Sequence, residues 1–82
     1  MIKIELNKQI RVCDHCGATN IKRTYCIYLP EYDRRLYIGR ICISRITDVD
    51  TSGNPSNAAR RLQHHFKTMN EDEVLDLVDV EV

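Results

Sequence analysis

The segment CDHCGATNIKRTYCIYL, residues 13–29 of an 82-residue chain, sets two cysteines two residues apart, follows them with Gly17 and runs into a β-branched, aromatic stretch. A Cys-x2-Cys turn can bring two thiolates to neighbouring corners of a metal tetrahedron, with zinc–sulfur bonds of about 2.3 Å. A glycine straight after it supplies the positive φ that such turns often need. Two other readings compete. A redox dithiol usually opens a helix after a strand, whereas here Gly17, Asn20 and a hairpin follow. Buried free thiols are common in cores, and Cys26 in a strand or Cys42 between two isoleucines would suit that role.

Size favours a staple. A chain of this length buries only about 60–65% of the surface its unfolded form exposes, and it has four Tyr, one Phe and no Trp to anchor a core. Small scaffolds in that position commonly rely on a metal or on disulfides. The opening MIKIELNKQI alternates instead of forming the apolar run of a signal peptide, and no stretch approaches a membrane span. The expected compartment is therefore the cytoplasm, where thiols stay reduced and four cysteines (Cys13, Cys16, Cys26, Cys42) point to metal more than to disulfides.

Outward from the knuckle, MIKIEL alternates Ile2, Ile4 and Leu6 with Lys3 and Glu5, the period of a half-buried strand. QIRVC is a shorter stretch of the same kind. IKRTYCIYL and RLYIG, separated by the Pro-led turn PEYDRR, predict a hairpin. GRICISRIT reads as a short helical turn beginning near Gly39, although its isoleucines also suit a strand. The knuckle and hairpin span 10–47, a loop 48–55, a helix 56–69 and an acidic tail 70–82, all in one domain. In that helix Ala59, Leu62, Phe66 and Met69 form one apolar stripe, with Asn54 or Ser56 as its cap. The tail starts like a capped helical turn, and its alternating Val78, Val80 and Val82 suggest a terminal strand beside MIKIEL.

The stretch 12–46 resembles small treble-clef or zinc-ribbon-like modules of phage and prokaryotic proteins: a CxxCG knuckle, a hairpin, then a glycine and a cysteine that open a short helix. The resemblance implies a small zinc-stabilised α+β domain, with structural Zn2+ held by Cys13, Cys16 and Cys42. Such modules often take the fourth ligand from a second cysteine near the third, and here that neighbourhood holds only Arg40, Ser44 and Arg45. Cys26 is the first choice for the vacant corner and His65 the alternative. His15 lies inside the knuckle, where its geometry is poor, and His64 lies opposite the apolar stripe.

Function must then come from the surface. Net charge is zero, but residues 1–69 hold all twelve Lys and Arg against six acids, and 70–82 hold six acids and no base. Arg34 and Arg35 at the hairpin tip, Arg40 and Arg45 near the third cysteine, and Arg60, Arg61, His64 and Lys67 on the outer helix face are candidate contacts for nucleic acid. Tyr32 and Tyr37 could stack on unpaired bases. The alternative is a protein–protein adaptor or inhibitor of the phage type, acting on a host protein through the basic face and the acidic tail, which could also dimerise the chain. No HExxH and no phosphate-cradling glycine loop is present, so the expectation is a binding protein and not an enzyme.

Overall fold

Strand alternation carries through into the architecture. The computed structural model describes residues 1–78. Strand β1 (Lys3–Asn7) pairs antiparallel with β2 (Thr24–Leu29), and β2 pairs antiparallel with β3 (Arg34–Gly39), giving the order β1-β2-β3. The register aligns Ile4, Ile27 and Leu36 in one row and Leu6, Tyr25 and Ile38 in the next. These rows form the apolar face. On the other face Glu5, Cys26 and Tyr37 lie side by side, as do Lys3, Tyr28 and Arg35. QIRVC forms no strand; only Arg11 bridges to Ile21, by paired 3.0 Å backbone bonds.

Helices α1 (Arg40–Thr47), α2 (Pro55–Phe66) and α3 (Glu71–Val78) complete a small α+β domain. The helical reading of GRICISRIT holds: α1 begins directly after Gly39 and ends at Asp48, whose φ is 59°. Pro55 occupies the first turn of α2, and the Asn54 side chain accepts from the Ser56 N–H. The buried stripe of α2 is Ala58, Leu62 and Phe66, while Ala59 and Met69 are half-buried. Against the apolar sheet face these residues form one core with Ile43, Val74 and Val78.

The tail differs most from expectation. Residues 71–78 form a helix, closed at its start by a reciprocal cap in which the Asn70 side chain accepts from the Glu73 N–H and Glu73 accepts from the Asn70 N–H. Its Val74 and Val78, four residues apart, face the core. Helical period therefore overrides the alternation read at Val78; Val80 and Val82, on which the terminal strand also rested, lie outside the described residues. The buried Glu71 carboxylate accepts the Glu31 N–H, and the Tyr32 hydroxyl donates to Asp72, so the acidic first turn is docked on the hairpin tip.

Both sheet edges are closed by side chains. On β1, the Gln63 amide accepts the Ile4 N–H at 2.8 Å and donates to the Ile2 carbonyl at 2.7 Å. On β3, Asp14 donates its N–H to the Tyr37 carbonyl and accepts the Tyr37 N–H on its carboxylate, both at 2.7 Å. Among the described residues no helix is long and apolar enough to cross a membrane.

Candidate metal centre

The knuckle is a tight loop held from several sides. The Gly17 N–H donates to the Cys13 carbonyl at 2.8 Å and the Cys13 N–H to the Ala18 carbonyl at 2.9 Å. Gly17 has φ +79°, a region in which other residues are strained, and nothing else crowds it. Asp14 ties the loop to β3, and the His15 ring nitrogen Nδ1 lies 3.2 Å from the Val78 carbonyl at the end of α3. At the start of α1, the Gly39 N–H points at the Cys13 sulfur, 3.3 Å away.

This arrangement brings the Sγ atoms of Cys13, Cys16 and Cys42 within 4.8 Å of one another. Sulfurs on neighbouring corners of a zinc tetrahedron stand roughly 3.8 Å apart, given bonds of about 2.3 Å, so the three thiols are positioned to hold a metal ion. Their protonation reflects the crowding. Burial opposes the Cys13 thiolate, but the N–H groups of Gly39, Cys16 and His15 and the Cys16 thiol outweigh it and hold Cys13 below the ordinary thiol range. Cys42 is pushed up to about 12 by burial first, then by its hydrogen bonds with Cys16 and Cys13 and by their charge. The thiolate is favoured at Cys13 and opposed at Cys42, so deprotonating Cys42 calls for a cation beside it.

Neither candidate for the fourth corner joins the group. Cys26 lies on the sheet face opposite Tyr25 and Ile27, between Glu5 and Tyr37, and burial raises its thiol. His65 sits on α2 with its ring edge-on to Phe66, centroids 5.3 Å apart. Strand alternation turns Cys26 away from the core face, and α2 commits His65 to the Phe66 side. Among the described residues no other Cys, His, Asp or Glu completes the set. Arg45 occupies the position one turn after Cys42, and a guanidinium has no lone pair to give a metal.

The candidate cations fall into separate places. Arg40 and Arg45 flank the cysteines in a cleft of about 630 Å³, joined there by Lys22 and Arg23. Arg34 and Arg35 border a second hollow that also includes Arg11, Leu75 and Val78, and the Arg35 guanidinium sits over the Tyr28 ring. Arg60, His64 and Lys67 border a third beside Lys3. Arg61 donates to the carbonyls of Asp50 and Ser52 and so clamps the 48–54 loop. The Arg11 guanidinium covers one face of the Tyr37 ring at 3.7 Å. Lys22 and Arg23 carry no signal in the sequence beyond forming a basic pair between knuckle and strand.

Comparisons with protein-family models, curated proteins and solved structures find no match.

Proposed function

We propose that this chain is a non-enzymatic, zinc-stapled module that binds nucleic acid in the cleft beside its cysteines. Zinc suits an all-thiolate set: it has no redox chemistry and accepts soft ligands in a tetrahedron. The observation that carries the nucleic-acid reading is the lining of that cleft. Lys22, Arg23, Arg40 and Arg45 surround it with no acid among its lining residues, and Ile21 and Ile41 supply apolar wall. Four cations so placed can neutralise consecutive phosphates and release their counterions. Ile41 is 61% exposed at the start of α1 and offers apolar contact to a base or sugar.

The adaptor reading is the weaker one. It uses the basic face together with the acidic tail, and in that tail Glu71 and Asp72 are already engaged with the hairpin of the same chain.

Fluorescence anisotropy with labelled single- and double-stranded oligonucleotides over a salt series tests the proposal. Affinity should fall with salt, and replacing Arg40 or Arg45 by Gln should reduce the salt slope by about one for each phosphate contact removed. Salt-insensitive or undetectable association rules it out.

A further inference from the structure

We infer that the metal is more than a staple: its fourth coordination position opens into the cationic cleft and is filled by the ring nitrogen N7 of a purine nucleotide. This deepens the reading above and rests on it. All three cysteines help to wall the cleft, with Cys16 exposed and Cys42 half-exposed, so a metal on them faces its interior. No fourth donor reaches the group among the described residues. His15, the nearest histidine in sequence, has its Nδ1 at the Val78 carbonyl.

The donor is chosen by charge and softness. Three thiolates on a divalent ion leave the centre with one net negative charge, so a phosphate oxygen, which is hard and anionic, is a poor fourth ligand. A neutral imidazole-like nitrogen adds no charge and completes the three-cysteine, one-nitrogen set that zinc commonly takes. Of the neutral ring nitrogens in the bases, the purine N7 belongs to a five-membered imidazole ring and is the one left open in the major groove of a duplex as well as in a single strand. Lys22, Arg23, Arg40 and Arg45 are then left for the phosphates. With a metal held by Cys13, Cys16 and Cys42, N7 would donate its lone pair as the fourth ligand in place of a solvent water, with no electron or proton transferred.

Co2+-loaded full-length protein, whose visible ligand-field bands report the coordination shell, tests this with GMP and with 7-deaza-GMP, which differs only in lacking N7. The expected result is a saturable band shift with GMP, no shift with the deaza nucleotide, and binding at least about tenfold weaker for the latter. The double variant Arg40→Gln/Arg45→Gln should weaken GMP binding yet reach the same final spectrum. Bands that ignore GMP while a labelled oligonucleotide still binds overturn the N7 contact and leave the nucleic-acid reading standing. Failure to bind either nucleotide or oligonucleotide overturns both. Absence of a thiolate-to-cobalt charge-transfer band overturns the metal site itself.

Discussion

Cys13 is buried and Cys42 half-buried, and their thiols move in opposite directions: against the cost of burial, the N–H groups of Gly39, Cys16 and His15 favour the Cys13 thiolate, whereas burial and the neighbouring thiols raise Cys42. An unfolded cysteine ionises near 9.0, whereas folded Cys42 keeps its proton to about 12 in the absence of a metal. Across that interval the native chain holds a proton that the unfolded chain releases, so stability falls as pH rises. Metal-free protein should therefore show a melting temperature that declines between pH 9 and 12, and metal-loaded protein, with its thiolates already formed, should lose that component of the decline. Thermal melts with and without chelator provide the check. The four thiols also divide sharply. Cys42→Ser should abolish one-to-one zinc binding in native mass spectrometry, whereas Cys26→Ser should leave metal content unchanged, because Cys26 sits apart from the cluster between Glu5 and Tyr37. Zinc lost on changing Cys26 would contradict the geometry.

Helix α3 keeps the capped turn read at its start and continues as a helix to Val78, where the alternation suggested a strand. Alternating valines suggested a strand, but Asn70 and Glu73 cap each other across the first turn, and Glu71, Asp72 and Glu73 suit the positive end of a helix. Asn70→Ala should cost about 0.5–2 kcal/mol, read from urea midpoints, with Asn70→Asp close to neutral. A matching cost for both changes would mean that the side-chain cap contributes nothing. The edge of β1 depends on a single α2 side chain. Gln63→Ala frees the Ile4 N–H and the Ile2 carbonyl, leaving an exposed ladder edge of the kind that recruits other strands. The expected outcomes are a loss of about 1–3 kcal/mol and concentration-dependent association in analytical ultracentrifugation. The strands, α2 and its Asn54 cap were legible because each depends on neighbours within a few residues. On α2 Leu62 and Phe66 are buried as read, but Ala58 is buried where the reading placed Ala59, because Ala58, Leu62 and Phe66 follow one another at four-residue steps on a single face.

At the scale of the whole molecule, a metal on Cys13, Cys16 and Cys42 would add to an apolar core that so short a chain keeps small. Zinc present at about a thousand times its dissociation constant stabilises the fold by about 4 kcal/mol. For a domain of this size that corresponds to roughly 15–30 °C in melting temperature. Chelation should produce a drop of that order in scanning calorimetry, and an unchanged melt would remove the staple from the account. The charge asymmetry of the sequence also resolves in three dimensions. The acidic first turn of α3 packs on the hairpin tip, while Lys22, Arg23, Arg40 and Arg45 gather around a cleft lined by no acid. Sequence alone determined the hairpin, the long helix and the Cys13–Cys16 turn, because spacing along the chain is what sets a face or a turn; Cys42 joined them only through the resemblance to treble-clef modules. The tertiary structure decided that Cys26 lies apart, that residues 71–78 form a core-bearing helix, and that a basic pair after the knuckle shares a cleft with two arginines of α1. Those outcomes depend on which faces meet when distant segments pack, and residue order does not encode that by itself.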